Sequence, residues 1–424
     1  MPALAQSSGS NYQALVCVFL YGGNDSNNMV IPESQYGAYQ TIRGTNNLAL
    51  PTAALKLVSD KASNGYYFHG MMPQIAGLFS SGNLAVAANV GPLVAPIKNK
   101  VLTNLPANLF SHADQQAEWQ TTDPTELVHP FYGWGGRAAG VVQKGNPNFP
   151  TLLSVSGNDI FGLGPTDQIE ITPGGNLNLT GFDYTLKQAR SAALNNLLTT
   201  ESGLSLVGAA NTKMSQTIND AKALGNALNG ITLTTTFPTA SGSLGQQLKQ
   251  VALIMKANTT GSAPLGMTKQ IFFCSLGGFD THTGELEAHN NLYPQMDSAI
   301  STFWAALGEL GLQNNVVLFT ESEFSRTMQP TTTDGSDHAW GSHHLVLGGQ
   351  VKGQQIYNSF PTFDVHGPDA YDTRGRWIPT AAVDQYGETL IKWFGITTPS
   401  DVATVFPNLS NFDTATSPNP LTFL

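Results

Sequence analysis

The chain has 424 residues with a formal net charge of −10, and charged side chains make up only 11 % of it, against about a quarter in an average soluble domain. So few lysines and arginines give no electrostatic footprint for nucleic acid or anionic lipid, and no run approaches the roughly 18 apolar residues of a membrane span. The composition is that of a soluble globular protein with a substantial core, made polar by Asn, Gln, Thr, Ser and Gly.

At the N-terminus, MPALAQSSGS carries Ala3-Leu4-Ala5 before Gln6, a small-residue pattern like that of a signal-cleavage site. Residues 1–12 are therefore expected to be the flexible remnant of an export signal, which places the protein in the periplasm or outside the cell. Then comes ALVCVFLYGGND, a fully apolar strand over 14–20 of the kind that sits inside a parallel sheet with both faces covered. Comparable runs are LAVAANVG (84–91), TLLSVSG (151–157), KQIFFCSLGGFD (269–280) and NVVLFTESEF (315–324).

Helical patterns lie between and after these runs: SHADQQAEWQ (111–120) behind a Ser111 cap, a long stretch from about Tyr184 to Leu228, then 243–258, 289–311 and 381–395. Such alternation predicts an α/β fold with a mostly parallel sheet between helical layers. The expected organisation is one domain over 13–424 with a helical insert at about 184–265. Cys17 and Cys274 each fall in an apolar run and read as buried, inert thiols.

Ligands in open α/β sheets collect beyond the C-terminal strand ends, so the residues standing there are the candidates. The first strand ends in Asp25-Ser26. The strand at 269–276 leads to Asp280 and His282, with Glu285, Glu287 and His289 beyond. The strand at 315–320 leads to Glu321, Glu323 and Arg326. Shortly afterwards TDGSDHAWGSHH (333–344) holds three of the nine histidines, beside Asp334 and Asp337.

Carboxylates with imidazoles are the donor set of a divalent ion such as zinc, manganese, calcium or magnesium. His338 and His343 are too far apart for one helical turn and would have to converge from a loop. The adjacent His343 and His344 would point apart, with His344 structural. Ser111 and Ser26 are the candidate nucleophiles, with His112 beside Ser111. Arg137 and Arg326 are candidate clamps for an anionic substrate. Trp340 is the aromatic candidate for contact with a sugar, although packing is the commoner use of such a residue.

Taken in order, FLYGGND, SHADQQAEWQT, GWGGRAA, GGFDTHTGELEAH, VVLFTESEFSRT and DHAWGSHHLVLGGQVKGQQIY resemble a family of exported bacterial proteins known as domain of unknown function 1501. That family is similar to the alkaline phosphatase/sulfatase superfamily, and the resemblance runs from Ala14 to about Leu409. It implies a three-layer αβα sandwich, export by the twin-arginine route, and metal ligands at strand ends. By position, Asp25 would be the first-strand ligand and Asp280 with His282 a second acid–imidazole pair. Glu321 would stand at the usual Asp of an Asp-His dipeptide, and His338 or His343 would be the late histidine. The chain departs from that pattern at Ser322, where the superfamily has histidine, so either Asp337-His338 would supply the pair from the following loop or the second metal would be absent. The Cys-X-Pro-X-Arg signature of common sulfatases is missing.

The function expected from these residues is metal-dependent hydrolysis of a phosphate or sulfate ester, small or carbohydrate-borne. Asp25, Asp280, His282, Glu321, Glu323, Asp337, His338 and His343 form the ligand pool. The alternatives are a polysaccharide lyase or glycoside hydrolase using the same acids, and a non-catalytic envelope protein that keeps the fold.

Overall fold

The computed structural model describes residues 12–125, 132–143, 149–175, 187–200, 204–412 and 418–424; the expected N-terminal remnant thus lies almost wholly outside the described residues. Twelve strands are present among them: β1 (Gln13–Tyr21), β2 (Val30–Pro32), β3 (Leu55–Ser59), β4 (Gly65–His69), β5 (Leu84–Gly91), β6 (Leu152–Ser154), β7 (Gln168–Glu170), β8 (Lys269–Gly277), β9 (Val316–Glu321), β10 (Ser342–Leu347), β11 (Ile356–Tyr357) and β12 (Ala381–Ala382). The principal sheet has the order β11-β5-β10-β9-β1-β8-β6-β7, with β12 also beside β5, and β2-β4-β3 form a small separate sheet. Pairing is parallel throughout the principal sheet except at β10, which runs antiparallel to both β5 and β9.

Strand β1 explains why the sheet is central. Successive side chains of a strand point to opposite faces, and both faces of β1 are apolar. Ala14, Val16, Val18 and Leu20 enter the core under the helices Pro73–Ser80, Gly242–Thr259 and Glu285–Leu310. Leu15, Cys17 and Phe19 enter the core under Trp134–Val142, Val383–Trp393 and Pro399–Val405. Each large apolar side chain buried this way contributes about 1.5–3 kcal/mol relative to exposure, which makes the two-sided strand the anchor of a three-layer α/β arrangement. Cys17 and Cys274 are free and buried, on opposite faces of the sheet.

The section expected as an insert contributes two kinds of helix. Gly242–Thr259 belongs to a helical layer, with Leu248, Val251 and Met255 buried. Ser205–Leu228 buries only Leu224 and Ala227, and part of the section, 184–186 and 201–203, lies outside the described residues.

The adjacency β9-β1-β8 matters most for function. These three parallel neighbours bring Glu323, Gly22-Gly23 and Asp280 to one edge of the sheet. Gly22 and Gly23 have φ of 114° and 79°. A Cβ on Gly22 would stand 2.4 Å from Asp280 N, and one on Gly23 would stand 2.3 Å from the Phe324 ring. Only glycine lets the three strand ends close on one another so tightly. Among the described residues, no helix is long and apolar enough to cross a membrane.

Candidate metal centre

Beyond β8, Asp280 stands half exposed at 48 %, within reach of three imidazoles. His112 is the first residue of the helix His112–Thr121, where Ser111 is the N-cap. Its Nε2 lies 3.4 Å from Asp280 Oδ2. His282 follows Asp280 on the same loop, and its Nε2 is 3.1 Å from Asp280 Oδ1. His338 Nε2 is 3.3 Å from that same oxygen and 2.9 Å from His282 Nε2.

A short ladder holds His338 in place. Thr327 N donates to Asp337 O and Ala339 N to Ser325 O, both at 2.9 Å, so Arg326 and His338 become cross-strand partners. The ring of His338 then stacks on Phe324 at 4.7 Å.

The far nitrogen of each ring is occupied by an acceptor. His112 Nδ1 meets Glu323 Oε1 at 2.9 Å, His282 Nδ1 meets Asp337 Oδ1 at 3.2 Å, and His338 Nδ1 meets the Phe110 carbonyl at 2.7 Å. A carboxylate or carbonyl can only accept, so each Nδ1 donates to its partner, and in a ring that carries a single proton the Nε2 lone pair faces Asp280. In that tautomer the lone pairs and the Asp280 carboxylate face one another, an arrangement that a bound cation would relieve. Atoms bound about 2.0–2.1 Å from a tetrahedral ion lie about 3.3–3.4 Å apart; His112, Asp280 and His338 offer ligand atoms that all lie within 4.8 Å of one another, and His282 Nε2 lies beside them, 3.1 Å from Asp280 Oδ1 and 2.9 Å from His338 Nε2. Acceptors on the outer nitrogens are also the usual supports of ligating histidines. The residues therefore suit a divalent ion of the zinc class.

Charge tunes the cluster. Burial raises the Asp280 carboxyl, but the hydrogen bond and charge of Arg326 outweigh it and hold the group down at about 2. His112 is raised by its bond to Glu323, and burial lowers His338. Burial also raises Asp337, and the ion pair with Arg374 at 2.7 Å overcomes this and lowers it. Arg376 donates to the backbone carbonyl of His338 at 2.7 Å and lies over the Phe110 ring, so it braces both partners of that contact.

Several sequence candidates stand elsewhere. Asp25 is fully buried and bonded through both oxygens to Arg43, away from the Asp280 cluster it was expected to open. Glu321 shares the face of Val317 and Phe319, so alternation turns it inward, where it accepts from Trp134 Nε1 at 3.3 Å; burial raises it to about 8. An inward, protonated carboxyl is no ligand at this centre. Glu323 is buried and serves His112, Gly22 N and Gln116, and Asp337 serves His282; both orient ligands rather than join them.

His343 and His344 lie on β10 and face opposite ways, against Phe360 and against Trp119. His343 Nδ1 accepts from Asn89 N at 2.9 Å, which removes it from the ligand set. Ser26 is buried in a bond to Ser325 Oγ at 2.8 Å and cannot meet a substrate. Arg137 is tied to the carbonyls of Val405, Tyr132 and Thr121. Arg326 is fully buried, spent on Asp280 and on the carbonyls of Gly22, Gly23, Phe279 and Ser336, so neither arginine is a free clamp. Trp340 is buried and donates to Pro92 O at 2.9 Å; it is a packing residue, not a sugar platform.

Ser111 stays at the rim. Its Oγ donates to Asp114, and its neighbours Phe110 and His112 both touch His338. Sequence reasoning missed His112 as a ligand, the Phe110 carbonyl, and the arginines 374 and 376. One signal was present for the last two: the chain has few arginines, and Thr-Arg-Gly-Arg-Trp (373–377) places two together.

Residues 266–371 match a family model described as "Protein of unknown function (DUF1501)". The chain resembles that family, and the matched segment carries Asp280, His282, Glu323, Arg326, Asp337 and His338. No curated protein matches the chain. Similar solved structures include Ps i-CgsB in complex with k-i-k-neocarrahexaose (10 % identity, 96 % of this chain and 77 % of that one, TM-score 0.39). Another is the C-terminal periplasmic domain of EcEptC from Escherichia coli in complex with Zn (13 % identity, 98 % and 92 %, TM-score 0.37). A third is the phosphonate monoester hydrolase of Agrobacterium radiobacter (10 % identity, 90 % and 74 %, TM-score 0.32). At these scores no functional residue passes from those structures to this chain.

Proposed function

We propose that this chain is a metal-dependent hydrolase of phosphate or sulfate esters, exported and acting outside the cytoplasm. The observation that carries the proposal is the convergence of His112, His282 and His338 on Asp280, with every Nδ1 engaged by an acceptor. His112, Asp280 and His338, with His282 beside them, would hold a divalent ion, which would supply Lewis acidity to an ester oxygen.

The remaining work falls to side chains of this chain. Ser111 Oγ is the nucleophile at the rim, and Asp114, already its hydrogen-bond partner, receives its proton. Arg374, a third exposed beside Asp337, meets the anionic oxygens of the substrate. Glu323, Asp337 and the Phe110 carbonyl keep the three imidazoles in their ligating tautomer. The scarcity of surface charge suits an ester carried on a neutral carbohydrate.

A glycoside hydrolase would need a protonated carboxyl at the site. Asp280 is held deprotonated by Arg326, and Glu323 is buried beneath His112, which weighs against that reading. The test is hydrolysis of 4-nitrophenyl phosphate and 4-nitrophenyl sulfate before and after chelation. Chelation is expected to lower the rate at least 100-fold, with recovery on adding zinc or manganese, and Ser111→Ala to lower kcat by a similar factor. Ester hydrolysis that survives exhaustive chelation sinks the proposal.

A further inference from the structure

A second group of ligand-type residues lies inside the molecule. Asp25, Glu285 and His289 are all fully buried, and their ligand atoms fall within 4.8 Å of one another. Glu285 and His289 are four residues apart on the helix Glu285–Leu310, so they share one face. Glu285 Oε2 takes the hydroxyls of Thr281 and Ser336, whereas Glu285 Oε1 and both nitrogens of His289 make no hydrogen bond. By donor type this is a second metal site, next door to the first through the Ser336–His338 segment.

One residue changes that reading. The Arg43 guanidinium is itself fully buried, binds Asp25 through Nη1 and Nη2, and lies 3.8 Å from Glu285 Oε1. Thr327 O fixes Nη2 at 3.0 Å. A guanidinium in a protein cannot lose its proton, so Asp25, which it binds directly, carries a permanent counter-charge, and Glu285 stands beside that charge. A divalent ion would have to enter beside that charge and compete for the oxygens it already holds.

We propose that Arg43 is a built-in cation standing in for a second metal. The protein is then a one-metal enzyme, and Asp25, Glu285 and His289 form a latent divalent-cation site that opens when the charge of Arg43 is removed. The one-metal count rests on the proposed centre at Asp280; the role of Arg43 does not.

The experiment loads protein with Zn²⁺ or Mn²⁺, removes free metal by gel filtration, and counts metal per chain by elemental analysis. Wild type is expected to hold one ion, and the double variant Asp280→Asn/His338→Ala none. Arg43→Gln, close in length and able to hydrogen-bond Asp25, is expected to hold two, falling back to one when His289→Ala is added. Two ions in wild type, or one retained in the Asp280/His338 double variant, overturns the proposal. So does a folded Arg43→Gln protein that still holds one. If Arg43→Gln does not fold, Arg43→Lys, which keeps the charge, is expected to hold one ion, and a second ion in that variant overturns the proposal. Wild type with no metal, while Arg43→Gln takes up one, overturns the reading of the first centre and supports the role of Arg43.

Discussion

Replacing Glu321 by glutamine separates a core carboxyl from a metal ligand. Glu321 is fully buried at the end of β9, with Trp134 Nε1 at 3.3 Å from one oxygen and Cys17 Sγ at 3.8 Å from the other. Burial raises it from an ordinary 4.5 to about 8. The folded protein therefore keeps a proton that the unfolded chain has released throughout that interval. Stability from this group is complete below pH 4.5 and declines as pH rises, until the folded carboxyl ionises near pH 8. The slope is about −1.4 kcal/mol per pH unit, or on the order of 4 kcal/mol between pH 5 and 8.

Glutamine has the same shape, keeps an acceptor for Trp134 and does not titrate. Near pH 5, Glu321→Gln should match wild type to within about 1 kcal/mol. By pH 8 it should be the more stable protein by on the order of 4 kcal/mol. Urea denaturation of both proteins at pH 5, 6, 7 and 8 measures the difference directly. Stability curves that run parallel across this range refute the reasoning, as does loss of bound metal in Glu321→Gln.

Other substitutions test the supports of the centre. Glu323→Gln and Asp337→Asn, which weaken the acceptors on His112 and His282, should each lower metal affinity about 10–100-fold, read by competition with a chromophoric chelator. Trp340→Ala should cost about 3–5 kcal/mol in denaturation experiments while leaving KM unchanged, whereas a sugar platform would raise KM. Gly22→Ala forces a Cβ to within 2.4 Å of Asp280 N at a φ of 114°. It should lower both thermal stability and metal content.

The strands were legible because both faces of a buried strand are apolar. Residues 84–91 were delimited correctly for this reason, and β1, β8 and β9 to within a few residues at their ends. The same alternation carried the signal that turns Glu321 inward, in step with Val317 and Phe319, whereas Glu323 lies beyond the end of β9, where strand alternation no longer applies. The small sheet β2-β4-β3 escaped notice because its strands are short and half exposed, as in Leu55–Ser59.

At the site, Asp280, His282 and His338 were found because they follow strand ends or lie in a histidine-rich loop. Asp25 was misplaced because its partner Arg43 lies on another helix, and a buried ion pair leaves no local pattern. His112 was read as catalytic, since nothing in SHADQ announces that Phe324 and Glu323 will turn its Nε2 toward Asp280. The ladder that pairs Arg326 with His338 spans twelve residues without a repeat or periodicity to betray it. TDGSDHAWGSHH divides accordingly: Asp337 and His338 serve the centre, Asp334 caps the helix Glu285–Leu310, and His343 and His344 belong to a buried strand.

X-ray absorption at the metal edge, on protein saturated with zinc and freed of excess, tests the central claim most directly. The account predicts a first shell of three imidazole nitrogens and one carboxylate oxygen at about 2.0–2.1 Å. It also predicts that His338→Ala removes one imidazole from that shell. A shell made of oxygen alone, or one unchanged in His338→Ala, would contradict it.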